Sequence, residues 1–279
     1  MLKNTLWATS IALLLVSCTA EPDLTDDTKD KVPSEEHSFA QNEFEFIGKA
    51  FDVKAYATPE MNRLSGIDGT DGFVFECATT TVAPAGSGYD MIIDFGNAGC
   101  SCADGRIRQG KLVGSFSGKW SESGTVLSIT PVDYFVTSKG GTKYKATFDK
   151  QTVTYTNTSN GHRFYTTKVE NARLESASGT IKWSCDRTVE WTDGISTSPV
   201  NNTYSVTGTA SGTATNGISF TANILDALQV KTDCDYIVKG KLSLQPVGGS
   251  ERVIDYGTGA CDNEATLTVN GFVTSIVLK

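Results

Sequence analysis

Two aspartates stand in matched surroundings, Asp94 in Ile93-Asp94-Phe95-Gly96-Asn97-Ala98-Gly99-Cys100 and Asp255 in Ile254-Asp255-Tyr256-Gly257-Thr258-Gly259-Ala260-Cys261. A carboxylate pair roughly 5 to 10 Å apart across a pseudo-symmetric cleft is what glycoside hydrolysis needs. The structural reading is the stronger one, because an aspartate before an aromatic and a glycine at a strand end caps its turn by accepting backbone N–H bonds. Asp68 and Asp71, in Asp68-Gly69-Thr70-Asp71-Gly72, offer hard oxygen ligands of the kind calcium takes. They fit no established calcium loop, and an ordinary double turn accounts for them. In Trp183-Ser184-Cys185-Asp186-Arg187-Thr188-Val189-Glu190-Trp191, strand periodicity puts Trp183, Cys185, Arg187, Val189 and Trp191 on one face. Exposed, Trp183 and Trp191 flanking Arg187 would make a stacking platform for a glycan or peptide. Buried, they would pack a core with Arg187 snorkelling to its edge, and this reading is favoured. Proton transfer lacks an agent: the two histidines are His37 and His162, neither lies beside a nucleophile, and no G-x-S-x-G elbow is present. A Ser-His-Asp hydrolase is therefore excluded. The expectation is a protein without catalytic machinery or cofactor, in a structural or ligand-binding role, with a glycan or an envelope protein as partner. A carboxylate-dependent hydrolase and a lipid carrier with a curved apolar sheet are the rival readings.

The cysteines carry a second kind of chemistry. Cys18 closes Leu15-Val16-Ser17-Cys18, after Lys3 and the apolar run Leu6 to Val16. That run is too short for a bilayer core of about 30 Å, so residues 1–17 read as a signal peptide. The pattern resembles a lipobox, which implies cleavage before Cys18 and a diacylglycerol on its sulfur. Acyl chains contribute about 0.8 kcal/mol per buried methylene and would anchor the chain to a membrane without a spanning helix. Thr19 at the following position favours the outer membrane, with the cell-surface and periplasmic faces both open. The other six cysteines are an even number in an exported chain and read as a disulfide framework. A zinc site is disfavoured, because Cys100-x-Cys102 has the wrong spacing and no nearby histidine.

Positioning these residues falls to strands. Segments such as Tyr89 to Phe95, Thr125 to Val136, Thr180 to Trp191 and Thr266 to Val277 are rich in Val, Ile, Thr and aromatics, and turn pairs such as Asn160-Gly161 and Asn270-Gly271 interrupt them. The expected fold is all-β and mostly antiparallel, as a sandwich or a long meandering sheet. Helical turns are expected only within Phe39 to Phe51 and Ala222 to Leu228. Between Thr19 and Phe46 nine carboxylates face only Lys29 and Lys31, so residues 18–46 read as a lipidated, acidic, disordered tether. Residues 47–279 form the β domain, as one body or as two related units of about 47–195 and 196–279. With a formal net charge of −8, the chain has no basic nucleic-acid footprint.

The matched Asp94 and Asp255 segments align without a gap and suggest an internal duplication. Each has one earlier cysteine, Cys77 and Cys234, so equivalent units closing equivalent loops give Cys77–Cys100 and Cys234–Cys261. Cys102 is then left for Cys185, although Cys100 and Cys102 are interchangeable in this argument. The run Arg252 to Thr266, with its IDYGxGxCDN-like motif, resembles the end of a group of predicted Bacteroidota-type lipoproteins. Ile93 to Lys111 and Ile181 to Thr192 are similar to theirs as well. The resemblance implies an envelope compartment and a β architecture, and no activity.

Overall fold

The computed structural model describes residues 27–58, 61, 77–157, 163–193, 202–231, 233–234 and 236–278. Among the described residues a single helix, α1 (Asp27–Ala57), comes first. Then follow β1 (Thr79–Ala85), β2 (Gly88–Asp94), β3 (Cys100–Ser101), β4 (Ile107–Phe116), β5 (Val126–Thr137), β6 (Lys143–Thr147), β7 (Lys150–Asn157) and β8 (Arg163–Ser176). The remaining strands are β9 (Gly179–Asp193), β10 (Thr203–Thr213), β11 (Ser219–Lys231), β12 (Ile237–Pro246), β13 (Arg252–Thr258), β14 (Glu264–Val269) and β15 (Phe272–Val277). All fifteen belong to one sheet, in the order β1-β2-β4-β5-β6-β8-β9-β10-β11-β12-β13-β14-β15. β3 pairs with β4 beyond the end of β2, and β6 and β7 lie end to end between β5 and β8. The architecture is thus the long antiparallel meander and not a sandwich. Ala222 to Leu228 belongs to strand β11 rather than to a helix.

Alternation within the strands sorts their side chains. On β9 the residues Ile181, Trp183, Cys185, Arg187, Val189 and Trp191 are buried, while their neighbours are more open to solvent. β4 repeats the pattern with Arg108, Leu112 and Phe116. One face of the sheet is therefore a continuous apolar surface and the other faces water.

That apolar face wraps α1. Helix side chains reach Arg108 on β4, Tyr134 on β5, Tyr144 on β6, Trp183 on β9, Phe220 on β11 and Arg252 on β13. A flat sheet with strands about 4.8 Å apart would be far too wide for one helix roughly 10 Å across to touch so many of them. The sheet must curl around the helix axis, and bulges supply the bends. Registers slip beside Gly110 on β4 and Gly208 on β10, both with positive φ. At Gly110 a Cβ would lie 1.9 Å from the Asp133 carbonyl oxygen, so only glycine fits the bulge. Gly110 thus kinks a strand rather than closing a turn. Gly114 serves the helix, since a Cβ there would meet the Phe51 ring at 2.4 Å.

The tether expectation fails for residues 27–46, which form most of α1. His37, Ala40, Gln41, Glu43 and Phe44 are buried, as are Ile47, Ala50, Phe51, Ala55 and Tyr56 further along. The division at residue 47 cuts through this helix, whose buried residues lie on both sides of it. Residues 18–26 of the expected tether lie outside the described residues, as do Cys18, His162, Asp68 and Asp71.

Candidate functional site

Polar groups on the helix meet a set of arginines on the inner face of the sheet. Glu43 has no exposed surface, and its carboxylate accepts from Arg108 Nη2 at 2.8 Å, Arg108 Nε at 3.2 Å, Arg106 Nη1 at 3.4 Å and the Tyr134 hydroxyl at 2.7 Å. Asp104 takes the outer side of the Arg108 guanidinium at 2.9 and 2.8 Å. The carboxylates hold Arg108 well above its usual value against the opposing cost of burial, while burial raises Tyr134. About two and a half turns of helix further on, Asp52 accepts from Trp120 Nε1, and burial raises its carboxyl against the pull of Arg163. Arg163 stacks over the Trp120 ring at 3.5 Å and donates to the Trp120 carbonyl. His37 Nδ1 accepts from Trp183 Nε1 at 3.1 Å, and burial lowers its pKa to about 3. These contacts tie the helix to the inner face of the sheet.

The stacking platform does not exist. Trp183 and Trp191 are 2 % and 3 % exposed, Phe44 stacks on Trp183 at 5.4 Å, and Arg187 is buried, donating to Gln41 Oε1 at 3.2 Å. Helix α1 covers the face that a glycan would need.

Asp94 and Asp255 do not converge either. Each accepts from the glycine two residues on, Gly96 at 2.8 Å and Gly257 at 3.0 Å, and each pairs with a lysine of the next strand, Lys111 and Lys241. The capping hydrogen bond and Lys111 hold Asp94 below its ordinary value. An odd number of antiparallel steps separates β2 from β13, so the two strands run in opposite directions. Their carboxyl ends, with the two matched segments, lie at opposite ends of the sheet.

The disulfides join Cys77 to Cys100 and Cys234 to Cys261, the two pairings that the repeat picks out. The third does not form: Cys102 and Cys185 are free and buried. Cys102 sits beside Arg108 and Glu43, Cys185 beside Arg187 and Glu45. Glu43 and Glu45 point to nearly opposite sides of a helix with 3.6 residues per turn, so α1 stands between the two thiols. Burial pushes the Cys185 thiol up to about 12, that of a packed and unreactive side chain. The Cys102 sulfur lies within 4.8 Å of the Cys77 and Cys100 sulfurs, but these two are spent on each other and offer no thiolates to a metal.

What the fold does assemble is a cavity of about 770 Å³ between the first half of α1 and the last strands. Its sheet wall is apolar, built from Ile254 and Tyr256 of β13, Leu267 of β14, and Ile276 and Leu278 at the end of β15. Ser34, Ser38 and Asn42, spaced one helical turn apart, give it a polar helix wall, with Phe39 beside them. The volume lies within the roughly 300 to 1,000 Å³ of small-molecule sites, and the mixed lining suits them too. Neither Asp94 nor Asp255 lines it. Sequence reasoning missed this site, although the alternation of Arg252, Ile254 and Tyr256 carried its signal. A second cavity of about 70 Å³, between Phe44, Glu45 and Gly48 of the helix and β8 to β10, is small enough to be a water pocket. No known family model, curated protein or solved structure matches the chain.

Proposed function

We propose that this is a lipid-anchored protein of the bacterial cell envelope, held at the outer membrane through Cys18, with a non-catalytic role: it binds an elongated, largely apolar ligand in the cavity beside α1. The observation that carries the reading is that cavity, lined by apolar side chains of three successive strands and a polar helix face. Support for the anchor comes from the Leu15 to Cys18 run and from the resemblance of Arg252 to Thr266 to Bacteroidota-type lipoproteins. Between the rival readings, the geometry favours the lipid carrier over the glycan binder and the hydrolase.

Two measurements test it. Labelled palmitate enters the wild-type chain and not the Cys18→Ala chain; equal labelling of both overturns the anchor. A neutral fluorescent probe, N-phenyl-1-naphthylamine, binds the Cys18→Ala chain saturably, and Ile254→Trp, which fills the cavity, removes the binding while the far-ultraviolet dichroism stays the same. Unsaturable binding, or binding indifferent to Ile254→Trp, overturns the ligand site.

A further inference from the structure

The lining of the large cavity is polarised from end to end, and the strand directions show how. β4 and β13 are separated by an even number of antiparallel steps and so run the same way, while the β5–β6 hairpin turns back at the end where β4 begins. Arg106 just before β4, Lys139 in that hairpin and Arg252 at the start of β13 therefore lie at one end of the sheet. β15 also runs parallel to β13, and β12 runs against both. The end of β15, with Ile276 and Leu278, and the start of β12, with Tyr236 and Ile237, thus form the opposite end of the cavity. The cations of the lining gather at one end, beside Phe39 and Tyr144, and Ile237, Ile276 and Leu278 lie at the other.

The acidic residues of the lining, Glu35 and Glu36, are outnumbered by its three cations, Arg106, Lys139 and Arg252. Glu36 is engaged by the Thr215 backbone N–H at 2.7 Å and by the Thr215 hydroxyl, and it shares the cationic end with Glu35. Glu43 is bound more closely by Arg108 and Tyr134 than by Arg106, whose contact is 3.4 Å. The Arg106 guanidinium lies over the Phe39 ring, 5.0 Å from its centroid, so its plane is fixed by a second cavity residue. Lys139 is exposed and packs its stem against Gly105, next to Arg106.

Resting on the cavity reading above, we infer that the ligand is an anionic amphiphile: a carboxylate or phosphate head held at Arg106 and Lys139, with its acyl chain running along β13 to β15 toward Ile276 and Leu278. A planar guanidinium and the ammonium of an exposed lysine suit a small oxyanion, and the sheet wall beyond, with Ile254, Ile276 and Leu278, suits an acyl chain. Val277 of the edge strand lines this end of the cavity and is exposed.

The test titrates the full Cys18→Ala chain with oleate, oleyl alcohol and oleoyl lysophosphatidate. Oleate, lysophosphatidate or both bind about tenfold or more tightly than the alcohol, and the tighter of the two acids identifies the head as carboxylate or phosphate. Lys139→Glu, at an exposed position that leaves the fold intact, lowers acid affinity by about tenfold and leaves alcohol affinity unchanged; Arg106→Gln does the same. Equal affinity for acid and alcohol, or acid binding indifferent to Lys139→Glu, overturns the anionic head while the apolar site stands. Absence of binding by all three probes overturns both.

Discussion

Glu43 shows how a residue that reads as tether becomes a structural centre. Removing a carboxylate from water is costly, and the cost is offset here by Arg108, Arg106 and Tyr134 converging on its two oxygens. Glu43→Gln breaks the charge pair inside the fold, and the expected loss is about 3 to 5 kcal/mol in urea unfolding. A loss below 1 kcal/mol would show that the helix is held by packing alone. Glu45 behaves differently. Burial pushes its carboxyl from 4.5 up to about 7 against the opposing pull of Arg187 and Lys49. A raised folded-state value means stability that is fully present below pH 4.5 and lost as pH climbs through 7. Glu45→Gln should therefore raise the melting temperature at pH 8, by the equivalent of about 2 kcal/mol, and change little at pH 4. A shift of the same size at both values would contradict it. His37 has the opposite sign: its value is lowered from 6.5 to about 3, so its contribution is lost as pH falls through that window.

At the scale of elements, α1 is the core of the molecule rather than its leash. Phe44 lies between Trp183 and Phe148, and Phe51 presses onto Gly114. Phe44→Ala should cost about 3 to 5 kcal/mol, and amide protons from Ala40 to Tyr56 should exchange as slowly as those of β9. Fast exchange along the helix with slow exchange in the sheet would mean that the sheet holds its curl unaided. The disulfides belong to this scale too. Cys234–Cys261 joins the chain just before β12 to the chain just after β13, across a sequence separation of 27, and its removal by Cys234→Ser should cost about 3 kcal/mol. Cys102 and Cys185 should resist alkylation in the native protein and both react in guanidinium. A tryptic fragment linking the two under non-reducing conditions would show that the helix does not stand between them.

For the whole molecule, the wrapped sheet has two edge strands, β1 and β15, at the ends of its order. Phe272, Val273 and Val277 on β15 are 58 %, 67 % and 67 % exposed, an apolar edge of the kind that proteins usually blunt with charge. Val273→Lys should leave stability within about 0.5 kcal/mol and reduce self-association in sedimentation. Unchanged association would place the sticky surface elsewhere. The two matched segments also acquire a meaning only at this scale. Each forms the same local device, an aspartate-capped turn running into a disulfide, but strand direction puts one at each end of the sheet.

Much of this was legible in the residues. Period-two alternation and glycine-rich turns pointed to a mostly antiparallel sheet, with sandwich and meander both open, and the matched Asp94 and Asp255 segments picked out two disulfides up to the exchange of Cys100 with Cys102, because strand patterning and turn chemistry are local. Alternation on β9 also placed Trp183, Arg187 and Trp191 on one face and favoured the core over a platform. The helix was legible only between Phe39 and Phe51, where helical turns were expected: Pro33 interrupts its start, and carboxylates punctuate most of its sides, which reads as a solvated chain. Arginines from distant strands make those carboxylates buriable, and no local pattern announces a partner more than sixty residues away. The same reason hid the cavity, whose walls come from α1 and from strands that begin almost two hundred residues later, and the two free thiols, which only the path of the helix keeps apart.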